Sequence, residues 1–191
     1  MESEVRDLGL RSPYDKVGGL VYFGRMLDKI RRHLKGELFP VYQASLGKGL
    51  DEKCVTFLRA KYDRIVQLVN EGHTDMEILQ SCFAMGHRPS EDEIYMWNEF
   101  MRKRGWNDDV SEALERQKKE EGMVSRSEIK TMFQFIDVDE GRLTNGVHPE
   151  AATRGKTDIP IALHIPLQFQ RQNPSPNKHR SRVDTRRVLM R

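Results

Sequence analysis

The stretch SPYDKVGGLVYFGRMLDKIRRHLKG, residues 12–36, favours a helical fold. Ser12 is of a type that caps helices, Pro13 suits a first helical turn, and Gly36 is a typical helix terminator. Between these ends, apolar or small residues recur at steps of three and four, as in an amphipathic helix. They are Val17, Leu20, Gly24, Leu27, Ile30 and Leu34. The pattern predicts one helix of about six turns.

Similar helix start and stop signals recur as far as Gly141. Most predicted helices begin at a polar residue and end at a glycine. Ser90 with Glu93, and Ser125 with Glu128, have the spacing of capping boxes. No stretch shows the sustained alternation that a strand requires. We therefore predict an all-α fold, a compact bundle of about six to seven helices. The segments after the first open at Asp51, near Tyr62, and at Thr74, Ser90, Asn107 and Ser125.

Composition changes abruptly near Gly141. Up to this residue the chain has 22 Lys and Arg against 26 Asp and Glu, a formal charge of −4, and from Arg142 onward it has 10 against 3, a formal charge of +7. The second part is rich in proline and arginine and has no helical period. We predict a helical domain over residues 1–142 and a disordered basic tail over residues 143–191.

The sequence favours a cytoplasmic location. The first residues lack the charged and apolar regions of a secretory signal, and the longest apolar run, Leu20 to Phe23, is far too short to span a membrane. Cys54 and Cys82 lie apart in apolar helical patterns, which is typical of buried thiols in a reducing compartment.

Three blocks of the sequence resemble a bacterial family of domains of unknown function, DUF5069. They are LRSPYDKVGGLVYFGRMLDKIRRHL from Leu10, RPSEDEIYMWNEFMRKRGWND from Arg88, and FIDVDEGR from Phe135. The resemblance implies a compact domain that ends near Arg142. It supplies no activity, cofactor, partner or site residue.

A first candidate site is the loop Gly47-Lys48-Gly49, which places a lysine between two flexible glycines whose N–H groups could bind a phosphate. It lacks the full spacing of a phosphate-binding P-loop and follows no predicted strand. A plain turn is the favoured interpretation, and phosphate binding is the alternative.

A metal site is not expected. His33 and Glu37 are four residues apart, and Asp137 and Asp139 have the spacing that opens a calcium loop, but neither pair continues into a complete set of ligands. We interpret both as chance pairs and expect no metal and no cofactor.

The pair Gly18-Gly19 falls inside the first predicted helix, where each glycine costs roughly 0.5 to 1 kcal/mol relative to alanine. Some other interaction should offset this cost. Close packing of a second helix is the favoured cause, and a ligand lying against bare backbone is the alternative.

Two features suggest interaction surfaces. Arg25, Lys29 and Arg32 share one face of the first helix and could contact nucleic-acid phosphates, although a solvated face is the favoured interpretation. Trp106 follows a helix-closing glycine, and a core position is the favoured interpretation. If Trp106 is exposed, it is a candidate aromatic anchor for a protein partner.

The leading hypothesis is a non-catalytic helical module that binds a protein partner or a small molecule. The second is a small enzyme with a site near residues 47–49, Gly18, Gly19 and His33. The third is a sequence-independent nucleic-acid binder that uses the first helix and the tail. A deep pocket that collects ionisable side chains from several helices would favour the enzyme.

Overall fold

A computed structural model describes residues 9–143, which form eight α-helices and one two-stranded antiparallel sheet. The all-α prediction is confirmed, with one more helix than the predicted range and a small sheet added. None of the helices within residues 9–143 is long and apolar enough to cross a membrane. The elements are β1 (Lys16–Val17), β2 (Leu20–Val21), α1 (Phe23–Leu34), α2 (Pro40–Gln43), α3 (Leu50–Phe57), α4 (Tyr62–Asn70), α5 (Asp75–Met85), α6 (Glu91–Lys103), α7 (Ser111–Glu120) and α8 (Met132–Asp139). The predicted tail lies outside the described residues, apart from Leu143.

The first predicted helix is wrong over its first half, because residues 16–21 form a β-hairpin. Val17 lies opposite Leu20, and Gly18 and Gly19 form the two-residue turn between them with φ of 56° and 87°. Two-residue hairpin turns of this kind need positive φ, which glycine adopts without steric cost. The two glycines therefore serve the turn and are not in a helix interior.

Helix α1 begins at Phe23, after Tyr22 has taken a left-handed conformation with φ of 72°. Most of its side chains are buried, and it packs against α4 and β1, while α6 packs against β2 and α8. The Tyr22 ring stacks on Phe133 of α8 with ring centroids 6.0 Å apart. The N-terminal and C-terminal parts of the domain thus share one core.

Most later helices are confirmed, with changes at their ends. The capping box of Ser90 and Glu93 is present, and Thr74 caps α5. The box predicted at Ser125 is wrong, because α8 begins later and is capped by Thr131 with Gln134. The other corrections are the unpredicted short helix α2, the start of α3 at Leu50 and not after Asp51, and the start of α7 at Ser111 and not after Asn107.

The hairpin turn gives the first testable prediction. Gly18→Ala should destabilise the domain more than Gly36→Ala, although both glycines have positive φ. A Cβ on Gly18 would lie 2.4 Å from Cδ2 of the fully buried Leu79, whereas a Cβ on Gly36 meets nothing within 4 Å. Both variants carry a backbone cost of about 1–2 kcal/mol, and Gly18→Ala adds about 1–3 kcal/mol of overpacking.

Urea unfolding of the two variants measures this difference. Equal losses of unfolding free energy would contradict the packed hairpin turn.

Candidate ligand pocket

A pocket of about 650 Å³ lies among α1, α2, α3, α7 and α8. Its walls contain apolar side chains from α2, α3, α7 and α8: Val41, Leu50, Ala113, Met132, Phe135 and Ile136. Its charged and hydroxyl-bearing side chains include Tyr22, Arg25, Lys29, Tyr42, Lys48, Lys53 and Arg104. Both the volume and the mainly apolar walls are typical of sites that bind small molecules.

Lys29 reaches the pocket wall from α1, although its residue is only 3% exposed. Its Nζ donates to Oδ1 of Asp51 at 2.6 Å and to the hydroxyl of Tyr22 at 3.2 Å. Burial lowers the pKa of the Lys29 amine, and the Asp51 carboxylate offsets only part of this effect. The protonated and neutral forms of this amine are therefore closer in free energy than those of a lysine in water.

Asp51 is completely buried at the start of α3 and accepts three kinds of hydrogen bond. Besides Lys29, the Tyr22 hydroxyl donates to Oδ1 at 2.8 Å and the Gly47 N–H donates to Oδ2 at 3.1 Å. Burial, with the neighbouring Asp51 charge, raises the pKa of Tyr22 well above its ordinary value, so this phenol is neutral. The cluster of Lys29, Tyr22 and Asp51 is therefore one hydrogen-bonded unit.

Arg25, one helical turn before Lys29, forms a second buried pair. Its two terminal nitrogens donate to the two oxygens of Glu140, with Nη1–Oε2 at 2.9 Å. Tyr42 and Arg142 also donate to Glu140, while Arg142 Nε donates to Asp137 Oδ1 at 2.7 Å. This network holds α2 and the residues after α8 against α1.

Glu140 is only 3% exposed, and opposing effects act on its carboxyl. Burial alone would raise its pKa, but the hydrogen bond and charge of Arg25, together with Tyr42 and Arg142, hold the pKa below its ordinary value. Glu140 is thus ionised in the native domain at neutral pH.

Arg104 is the third buried cation of the pocket wall. Its Nη1 donates to Asp108 at 2.9 Å and to Asp109 at 2.5 Å, and the guanidinium lies over the Phe100 ring, 5.2 Å from its centroid. Its Nε is buried and has no hydrogen-bond partner among residues 9–143. A buried N–H without a partner is uncommon in folded proteins.

The charged side chains that line the pocket differ in burial according to their sign. Within the described part of the chain, the charged side chains that are buried and line it are all cations: Arg25, Lys29 and Arg104. The buried partners of the first two, Asp51 and Glu140, are not among the lining residues. The acidic lining residues are exposed or half-buried: Glu52, Asp109, Glu120, Glu121 and Asp139. The buried charges of the wall are therefore cationic, whereas its more exposed charges include both signs.

The structure brings together only part of the site suggested by the sequence. Lys48 and Gly49 line the pocket, while the Gly47 N–H binds the protein's own carboxylate at Asp51. Gly18 and Gly19 lie in the hairpin, and His33 is exposed near the end of α1. None of these last three lines the described pocket.

The proposed cationic face of the first helix is wrong for two of its three residues. Arg25 and Lys29 are 2% and 3% exposed, so they form neither a solvated face nor a phosphate-binding stripe. Arg32 is half-buried and donates to the Gly9 carbonyl at 3.3 Å. Trp106 is 54% exposed and is therefore not a core residue.

Sequence reasoning missed the acidic partners Asp51 and Glu140, which lie 22 and 115 residues from the cations they bind. The only local signal was the position of Arg25 and Lys29 next to the apolar stripe of α1. In the described residues there is no group of three or more His, Cys, Asp or Glu side chains that could hold a metal ion.

Comparison with models of protein families gives a match. A family model described as "Domain of unknown function (DUF5069)" matches residues 8–142. No curated protein matches the chain. The matched segment contains every residue that lines the pocket.

The Glu140 network gives the second prediction. Glu140→Gln should lower the free energy of unfolding by about 3–5 kcal/mol at neutral pH, because it leaves the buried Arg25 guanidinium without a counter-charge. Glu112→Gln, an exposed control in α7, should change it by less than about 0.5 kcal/mol. Urea denaturation measures both values.

The pH dependence provides a further check on the same variant. A carboxyl whose pKa is depressed by folding stabilises the native state above its unfolded pKa, and this contribution is lost as pH falls through the folded pKa. The wild type should therefore lose the Glu140 contribution in acid, and Glu140→Gln should lack that part of the acid dependence. Parallel stability curves for the two proteins would contradict the assignment.

Proposed function

The chain belongs to the DUF5069 family, whose description names no activity, and from the geometry of the pocket we propose that it binds a small organic anion. The observation that carries this proposal is the set of three buried cations, Arg25, Lys29 and Arg104, on the wall of one pocket. Small-molecule binding is one of the two alternatives in the leading hypothesis from the sequence.

The charge of the ligand follows from the cost of burying cations. Arg25 and Lys29 are compensated by Glu140 and Asp51, but these carboxylates do not line the pocket, so in both ion pairs it is the cationic residue that borders the cavity. A carboxylate or phosphate oxygen also suits the fixed N–H groups of a guanidinium.

The rest of the ligand should be apolar. Leu50 of α3, Ala113 of α7 and Phe135 of α8 contribute hydrocarbon surface to the walls. Burying an apolar body against such surface stabilises a complex by roughly 25 cal/mol per Å² before the costs of association. A molecule that combines a hydrocarbon or aromatic body with one acidic group therefore fits better than inorganic phosphate.

The other hypotheses have less support. Nucleic-acid binding loses its main basis, since Arg25 and Lys29 are buried and a duplex cannot reach them. The exposed Trp106 is compatible with a protein partner, but it does not line the pocket. The free, buried thiols of Cys54 and Cys82 support the cytoplasmic location inferred from the sequence.

An enzymatic function is the second candidate. The pocket collects ionisable side chains from several helices, which is the arrangement expected of an active site. Lys29, Tyr22 and Asp51 combine an amine, a phenol and a carboxylate within hydrogen-bond distance. Binding of an organic anion would be the first step of such an activity.

Blocking the pocket tests the proposal. The full chain should bind anilinonaphthalene sulfonate, a fluorescent aromatic anion, and Ala113→Trp should weaken this binding at least about tenfold, or 1.4 kcal/mol, by filling the pocket. Ala84→Trp is the matched control, since Ala84 is exposed on α5 and does not line the pocket. Fluorescence titration gives the dissociation constants.

Competition then tests the charge requirement. Naphthoate should displace the fluorescent anion, and naphthylmethanol, a neutral molecule of similar shape, should displace it at least about tenfold less well. Equal binding to Ala113→Trp and Ala84→Trp, or equal displacement by the two competitors, would refute an anion-binding pocket.

A further inference from the structure

We infer that Lys29 forms a covalent imine with a carbonyl group of the ligand, so that the pocket accepts aldehydes or ketones that also carry an acidic group. This inference rests on the proposed anion-binding function and adds the reactive group of the ligand. The observation behind it is the position of a buried primary amine on the wall of the pocket, hydrogen-bonded to a carboxylate and to a phenol.

The pocket borders this residue, which is almost fully desolvated. Lys29 lines the cavity and is only 3% exposed, so a molecule in the pocket lies beside a lysine that water barely contacts. Lys48 and Lys53 also line the pocket, but both are exposed. A desolvated lysine is a better nucleophile than a solvated one because less of it is held in the charged form.

Asp51 and Tyr22 are placed to accept and relay the proton that the Lys29 ammonium must lose. Asp51 Oδ1 lies 2.6 Å from Lys29 Nζ and can accept one ammonium proton. The Tyr22 hydroxyl donates to the same oxygen at 2.8 Å and accepts from Lys29 at 3.2 Å, so it connects the two groups. Burial lowers the pKa of Lys29, which reduces the cost of this transfer.

The reaction can be written without any further reactant. The ammonium of Lys29 gives one proton to Asp51, and the neutral nitrogen attacks the carbonyl carbon. One proton then moves from this nitrogen to the former carbonyl oxygen, which gives a neutral carbinolamine. The hydroxyl of the carbinolamine then leaves as water, taking the proton held by Asp51, and the nitrogen keeps one hydrogen as a cationic iminium. The sum is ammonium plus carbonyl giving iminium plus water, and Asp51 ends as the carboxylate that pairs with the new cation.

Arg25 and Arg104 would hold the acidic group of the same ligand. Arg25 lies one helical turn before Lys29, and Arg104 reaches the pocket from the end of α6. Both are fixed by carboxylates of the protein, Arg25 by Glu140 and Arg104 by Asp109. A preorganised cation next to the amine positions the carbonyl for attack, as proximity effects require.

Reductive trapping tests the inference on the full chain. The protein is incubated with para-carboxybenzaldehyde and cyanoborohydride, and the reduced adduct is located by peptide mass mapping. Lys29 should be labelled at least about tenfold faster than Lys48, because desolvation activates its amine. Excess para-(hydroxymethyl)benzoate, which binds without a carbonyl, should protect Lys29 from labelling.

Two matched variants identify the amine. Lys29→Arg keeps a cation beside Asp51 but cannot form an imine, so the fast label should disappear. Lys35→Arg makes the same change at an exposed lysine that does not line the pocket and should keep it. Circular dichroism checks that each variant is folded, and the mapped site in the wild-type chain decides the matter if Lys29→Arg does not fold.

The outcomes separate the two proposals. If the alcohol displaces anilinonaphthalene sulfonate and the aldehyde labels Lys29 no faster than Lys48, the imine is wrong and the anion pocket stands. If neither compound displaces the fluorescent anion and no preferred label appears, both proposals are wrong. Fast labelling of Lys29 that the alcohol prevents supports both.

Discussion

The buried ion pair between Arg25 and Glu140 is the constraint on which the rest of the domain depends. Each group alone would be very costly to bury, so each can leave water only in contact with the other. Arg25 belongs to α1, and Glu140 directly follows α8. The native core therefore requires contact between these two segments, which are far apart in the sequence, and Tyr42 and Arg142 bind the same carboxylate.

The same principle shapes the pocket. Lys29 is compensated by Asp51 as Arg25 is by Glu140, and both cations come from one face of α1. Because the carboxylates bind the cations from positions that do not line the cavity, the native fold fixes positive groups on its wall without leaving them unpaired. Rigid charges of this kind bind a ligand without first having to be ordered, which lowers the cost of association.

The sequence predicts those features whose signals are local. The caps at Thr74 and Ser90 lie within three residues of their partners, so their helices could be recognised. The hairpin could not, because strands of two residues are too short to show alternation and Val17 and Leu20 also fit a helical stripe. The pocket could not either, since Glu140 lies 115 residues from Arg25 and no local pattern reports that distance.

The positions of Arg25 and Lys29 on α1 show how one helical spacing can fit two different structures. At i and i+4 on a helix, Arg25 and Lys29 have the spacing of a surface that binds phosphates, and the same spacing suits a wall inside the fold. What decides between them is whether acidic partners reach those positions from elsewhere in the chain, as Asp51 and Glu140 do. Because both cations are buried, the phosphates of a nucleic acid cannot reach them. A molecule small enough to enter the pocket can come close to them, and we therefore favour a small organic anion as the ligand.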